Sequence, residues 1–344
     1  YGAPQVAASA QLNTNENPFA PSPALVAAIA KRVAEVSATL NRYPDRDATN
    51  LRAKLASYIN EQSGTQVAVE NIWAANGSNE IIQSIFLAFG QGPVLGFTPS
   101  YSMHPLIAKT TGSQWIDGKR NADFSLNTAD AVAEIIKNKP TLTFITTPNN
   151  PTGGAVTIEA IQELATAAHQ VGGLLVVDEA YAEFSQEVSA VTLIANNPHV
   201  IVIRTMSKAF AFAGARVGYL AADAAVVDAL RLVRLPYHLS ALTQAAAEAA
   251  LSHSGVMLSM VDDIRFQRDR IILELKAMGL DPYRSDANFV LFGGLDNPEA
   301  VFEALLEKGI LVRNVGIPNT LRVTAGTESE TSQFLSSLRE VLGK

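Results

Sequence analysis

The chain contains no cysteine. Disulfides and thiolate metal centres are therefore excluded, no metal is expected, and a reducing, cytoplasmic setting is expected. Charge is also sparse: 17% of the 344 residues are Asp, Glu, Lys or Arg against 48% hydrophobic, the balance of a compact globular chain with a full core. The net charge is -7 with a pI of about 5.3, and no basic patch stands out, which argues against nucleic acid or an anionic membrane as a main partner. No apolar run approaches the ~18 residues of a spanning helix. The opening Tyr1-Gly2-Ala3-Pro4 lacks the basic start of a secretory signal. It also lacks a methionine, so residues are expected to precede it. Internal repeats and low-complexity segments are absent from the sequence.

What is present is alternation. Apolar runs at 94–97, 142–145, 174–177, 200–203 and 217–221 read as strands, separated by helical patterns such as 158–170. Such βαβ alternation predicts an α/β fold with a mainly parallel sheet covered by helices on both faces. After about residue 243 the pattern changes to helical stretches at 245–251 and 257–278, then short strands at 289–292 and 321–324. A second, smaller domain is expected there.

Three polar segments follow three of the strand-like runs. Arg204-Thr205-Met206-Ser207-Lys208-Ala209-Phe210, with Arg216 eight positions after the lysine, brings an amine, two hydroxyls and a guanidinium into one loop. That set suits a phosphorylated aldehyde: Lys208 can form a Schiff base while Thr205, Ser207 and Arg216 hold the phosphate. Taken alone, a lysine beside small polar residues is more often a solvated loop cation. In Val176-Val177-Asp178-Glu179-Ala180-Tyr181, the acid lies beyond the carboxyl end of a strand, where ligands bind in open α/β sheets. Asp178 can pair with a protonated pyridine nitrogen and Tyr181 can donate to a ring oxygen; a helix N-cap with a packing tyrosine is the competing reading. Thr146-Thr147-Pro148-Asn149-Asn150-Pro151-Thr152-Gly153-Gly154 is a rigid turn whose Asn150 is a neutral donor able to reach the same ring oxygen. A fourth segment, Asn76-Gly77-Ser78-Asn79, precedes a helical pattern at 80–89. Its free amides would attract an anion, unless Asn76 or Ser78 simply caps the helix.

In the order N-P-T-G, D-x-A-Y, then S-K with an arginine eight residues on, these segments resemble the fold-type I pyridoxal-phosphate aminotransferases. Leu12-Asn13-Thr14-Asn15-Glu16-Asn17-Pro18, Asn41-Arg42-Tyr43-Pro44-Asp45, Ala75-Asn76-Gly77-Ser78-Asn79-Glu80, Thr98-Pro99-Ser100-Tyr101-Ser102-Met103 and Leu321-Arg322-Val323-Thr324-Ala325-Gly326-Thr327 narrow the resemblance to the histidinol-phosphate aminotransferase family. His104 departs from it, since a tyrosine is expected at that position.

The resemblance implies a large domain, 30–243, built on a mainly parallel seven-stranded sheet, and a smaller α+β domain assembled from 1–29 and 244–344. It implies pyridoxal 5'-phosphate with its phosphate at Gly77, Ser78, Asn79, Thr205, Ser207 and Arg216. Tyr101 would stack on the ring, Asn150 and Tyr181 would meet the ring oxygen, Asp178 the ring nitrogen, and Lys208 would be the catalytic amine. Tyr43 is implied to reach the partner subunit's cofactor, which makes the active unit a homodimer with shared sites. The implied reaction is transamination between L-histidinol phosphate and 2-oxoglutarate, giving imidazole acetol phosphate and L-glutamate in histidine biosynthesis. Arg322 would clamp the substrate anion, and Tyr1, Asn17 and Tyr237, with Glu16 and His238, would shape the pocket. An aromatic amino-acid aminotransferase and a pyridoxal-phosphate decarboxylase are the alternatives. A non-catalytic cofactor-binding regulator would need a DNA-binding module for which this acidic chain has no basic patch.

Overall fold

The computed structural model describes residues 2, 4 and 6–343. Among them are twelve strands: β1 Ala10–Gln11, β2 Ile72–Ala75, β3 Pro93–Thr98, β4 Gln114–Lys119, β5 Leu142–Thr146, β6 Leu174–Asp178, β7 Val200–Thr205, β8 Gly218–Ala221, β9 Asp281–Pro282, β10 Phe289–Gly293, β11 Ile310–Leu311 and β12 Leu321–Thr324. Seven of them form one sheet in the order β2-β8-β7-β6-β5-β3-β4. Only β8 runs antiparallel to its neighbours; the other pairings are parallel. The expected α/β architecture with a mainly parallel seven-stranded sheet is thus the observed one.

The central strands are apolar runs because parallel strands are covered on both faces. Val200, Ile201, Val202 and Ile203 of β7 are fully buried, two packing into the apolar layer on each side of the sheet. Each such side chain contributes about 1.5–3 kcal/mol of burial. The crossover helix Ile158–Gln170 starts at Thr157, whose hydroxyl accepts from the Ala160 amide. Helix Ala241–Leu251 begins four residues before the position its apolar pattern suggests, because Ser240 caps it through the Thr243 amide. Two N-terminal helices, Pro23–Ser37 and Thr49–Ser63, and the strands β2 and β4 went without a sequence signal strong enough to place them.

The last third of the chain supplies an antiparallel sheet β12-β10-β9, in which Leu291 pairs with Arg322. The N-terminal segment is tied to it. β1 runs parallel to β11, the Leu12 amide donates to Leu311, and the Thr324 amide donates to the Leu12 carbonyl. Residues 12–16 are thereby carried from one end of the sequence to the edge of the large sheet. No helix among the described residues is long and apolar enough to cross a membrane.

Candidate active site

β5, β6 and β7 lie side by side and end in Thr146, Asp178 and Thr205. All three line a cavity of about 360 Å³ at the carboxyl ends of the sheet. The same hydrophobic pattern that buries the strands therefore delivers a row of polar groups to one place.

One end of the cavity is built for an anion. Helix Ser78–Phe89 begins at Gly77, with φ 85° and no side-chain cap, so its first amides keep their donors available. Asn76 does not cap it, since its side chain donates to the His238 carbonyl at 2.8 Å. A Cβ on Gly77 would lie 2.5 Å from the Arg216 guanidinium, and one on Gly218 would lie 2.3 Å from the Gly77 and Ser78 backbone. Glycine at both positions lets β8, the helix start and Arg216 close around the same space. Thr205 and Ser207 hydroxyls are 3.0 Å apart there, and Arg216 Nη1 donates to Ser207 at 3.4 Å. Arg216 itself has φ 55°, which turns its side chain back across the loop.

The other end holds an aromatic and amide network. Tyr181 hydroxyl accepts from Asn15 at 3.0 Å and from Asn150 at 3.3 Å. Arg322 donates to Asn150 Oδ1 at 2.6 Å and to the Asn13 carbonyl at 2.7 Å, while its guanidinium lies 5.1 Å from the Phe289 ring centroid. Tyr101 hydroxyl donates to Asn79 Oδ1 at 3.0 Å, which fixes the ring at the cavity wall.

Between these ends stand Asp178 and Lys208. Asp178 Oδ2 is 3.1 Å from His104 Nε2, with both side chains almost fully buried, and Oδ1 accepts from the Ala180 amide at 3.2 Å. A carboxylate can only accept, so Nε2 carries the proton in that contact. Lys208 Nζ donates to the Thr14 carbonyl at 3.0 Å. Burial first, then Arg322, lower the Lys208 pKa to about 8, with Glu16 opposing and Arg216 adding a smaller push in the same direction as burial. An amine poised near neutrality can serve as nucleophile and as proton carrier.

A buried ion network supports the site from behind. Arg204 meets Glu179 at 2.8 Å and Glu183 at 3.0 Å, and Glu179 also accepts from Ser189 and the Ala190 amide. Burial opposes the charge on Arg204, but the two carboxylates hold its pKa above the ordinary value. Glu179 follows Asp178 directly, so the clamp fixes the backbone that aims Asp178.

The donor set fits pyridoxal 5'-phosphate: an uncapped helix start with Arg216 and two hydroxyls for a phosphate, a carboxylate, and a buried amine of lowered pKa. Comparison with known proteins agrees. The model for aminotransferase class I and II matches residues 9–338. A histidinol-phosphate aminotransferase of Thermobifida fusca is 52% identical over 100% of this chain and 93% of its own length. One from Mycolicibacterium smegmatis is 51% identical over 100% of this chain and 91% of its own. The chain belongs to the histidinol-phosphate aminotransferases. In fold it also matches the histidinol-phosphate aminotransferase of Sinorhizobium meliloti, solved in complex with pyridoxal-5'-phosphate, with a TM-score of 0.87 at 24% identity, covering 98% of this chain and 91% of that one.

Against this family background, the cavity brings together Ser78, Asn79, Tyr101, Asn150, Asp178, Tyr181, Thr205, Ser207, Lys208, Arg216 and Arg322. Gly77 stands directly behind Arg216. Tyr43 and Tyr237 are not among the cavity walls; they stack on each other, ring centroids 4.3 Å apart, on an exposed surface. Asn17 lines an adjoining cleft and donates to the Ala209 carbonyl, next to Lys208. His238 stacks on Trp73 and bonds the Ala74 carbonyl. Tyr1 lies outside the described residues. Asn13, Thr14 and Asn15, which stand out in the sequence only as part of a motif, bond Arg322, Lys208 and Tyr181 respectively. His104, the departure from the family pattern, does not line the cavity: it is buried against Phe144 and bonded to Asp178.

Proposed function

We propose that this chain transfers the amino group of L-histidinol phosphate to 2-oxoglutarate, yielding imidazole acetol phosphate and L-glutamate in histidine biosynthesis, with pyridoxal 5'-phosphate as cofactor. The observation that carries the proposal is the meeting of Lys208, Asp178 and Arg322 in one cavity beside an uncapped helix start.

Arg216, Thr205, Ser207 and the first-turn amides of Ser78 and Asn79 would hold the cofactor phosphate. Asp178 would meet the ring nitrogen, Tyr181 and Asn150 the ring oxygen, and Tyr101 the ring face. When bound, the cofactor supplies an electron sink for the carbon that bears the amino group. Lys208 Nζ moves the proton at that carbon, a task its lowered pKa suits because far more of the amine is free base near neutrality than in an ordinary lysine. Asp178 is held at the cavity wall by His104 and the Ala180 amide. Arg322 binds the substrate anion, phosphate in one half-reaction and carboxylate in the other, and its bond to Asn150 ties that event to the ring-oxygen network.

The active unit in this proposal is a homodimer in the cytoplasm, with the partner subunit's Tyr43 completing the phosphate site. A large domain, 30–243, carries the cofactor, and a small one, 1–29 with 244–344, brings Arg322 and the N-terminal segment over it. The test is a substrate panel with 2-oxoglutarate as acceptor. L-Histidinol phosphate should exceed L-phenylalanine and L-tyrosine in kcat/KM by at least about tenfold, since only the phosphate ester gives Arg322 a dianionic partner. An aromatic amino acid as the better donor would replace this assignment.

A further inference from the structure

Five charged side chains line the cavity: Glu16, Asp178, Lys208, Arg216 and Arg322. Four of them are engaged within the protein, Asp178 with His104, Lys208 with Thr14, Arg216 with Ser207 and Arg322 with Asn150. Glu16 alone, among the described residues, has neither a hydrogen bond nor an ion pair. Its backbone is nevertheless held on both sides. Asn15, at φ 55°, is fixed by Tyr181, Thr324 and Asn288, and Asn17 bonds the Ala209 carbonyl. Glu16 is exposed and lines three adjoining clefts as well, which puts its carboxylate at the rim where the cavity meets solvent. It is close enough to Lys208 to act on the amine's charge.

We propose that Glu16 is the substrate-selecting residue of the rim, its carboxylate accepting the imidazole N–H of the amino donor and disfavouring a carboxylate in the same place. This rests on the proposed function. There, Arg216 answers the cofactor phosphate, Asp178 the ring nitrogen, Arg322 the substrate anion, and Lys208 the mobile proton. The imidazole is the one polar group of L-histidinol phosphate left without a partner, and Glu16 is the one charged wall residue left without one. A carboxylate acceptor forms a charge-assisted bond to an imidazole N–H and a stronger one to an imidazolium. The same charge repels the side-chain carboxylate of L-glutamate, so a single residue biases the cavity in opposite senses for the two half-reactions.

Glu16→Gln tests this without risk to the fold, since the side chain makes no bond to the protein. Single half-reactions of the holoenzyme are followed by cofactor absorbance with L-histidinol phosphate, with L-phenylalaninol phosphate, in which a phenyl ring replaces the imidazole, and with L-glutamate. The substitution should raise the half-saturating concentration of L-histidinol phosphate about tenfold, the loss of one charge-assisted bond at a solvent-touching rim. At a pH above the Lys208 midpoint, where the loss of the Glu16 charge no longer alters how much of the amine is free base, the limiting rate should hold, L-phenylalaninol phosphate should stay within about twofold, and L-glutamate should bind as well or better. Equal weakening of all three ligands, or an unchanged preference for imidazole over phenyl, would overturn the role of Glu16. Failure of the parent enzyme to use L-histidinol phosphate at all would instead bring down the proposed function, and this inference with it.

Discussion

Lys208 carries the sharpest quantitative prediction. An ordinary lysine amine titrates near 10.5, so at about pH 7.5 only about 0.1% of it is free base. The Lys208 amine is brought to about 8, first by burial, then by Arg322, with Glu16 opposing and Arg216 adding a smaller push. At about pH 7.5 roughly a quarter is then free base, a gain of about two hundredfold in reactive amine. The measurement is the rate at which cofactor-free protein captures pyridoxal 5'-phosphate covalently, followed by absorbance against pH. The rate should rise with a midpoint near 8. Arg322→Gln removes a cation that disfavours the ammonium, so the midpoint should move up. Glu16→Gln removes an anion that favours it, so the midpoint should move down. A midpoint near 10 in the parent protein, or shifts of the opposite sign in the two variants, would refute the claim that burial and these neighbours set the amine. Lys208→Ala should leave no cofactor fixed to the protein after borohydride treatment.

Asp178→Ala should still bind cofactor but lose about two to three decades of kcat, and His104→Leu should lose part of that while His104→Gln, which keeps a donor near Nε2, recovers most of it. Equal losses in both His104 variants would make that residue a packing group only. Arg204→Met should cost about 3–5 kcal/mol in urea unfolding, because Glu179 and Glu183 would be left as buried charges without their cation; a cost below about 1 kcal/mol would show that water reaches the network. Mixing Tyr43→Phe with Lys208→Ala chains should restore part of the activity, since one site of the mixed dimer would carry neither change, and no recovery after proven subunit exchange would remove Tyr43 from the partner's site.

The sequence by itself determined the central strands of the sheet and the polar groups at their ends. Buried parallel strands must be apolar throughout, so runs such as 200–203 announce themselves, and a polar residue that ends such a run has nowhere to go but the carboxyl edge. Thr205, Ser207, Lys208 and Asp178 were legible for that reason, and the glycine at position 77 was legible as the start of a helix with free amides. The N-terminal helices were not, because their weakly amphipathic surfaces owe their helicity to packing, as in the contact of Pro23–Ser37 with Ala241–Leu251. Only the tertiary structure decided the partners. Asn15 reaches Tyr181 across 166 positions and Arg322 reaches Asn150 across 172, and no local pattern encodes which distant segments share a register. In the sequence His104 is only a departure from the family pattern; folding turns it inward onto Asp178. The amine of Lys208 follows the same rule. Its identity is written in the chain, but its pKa near 8 comes from the burial and the charges that folding places around it.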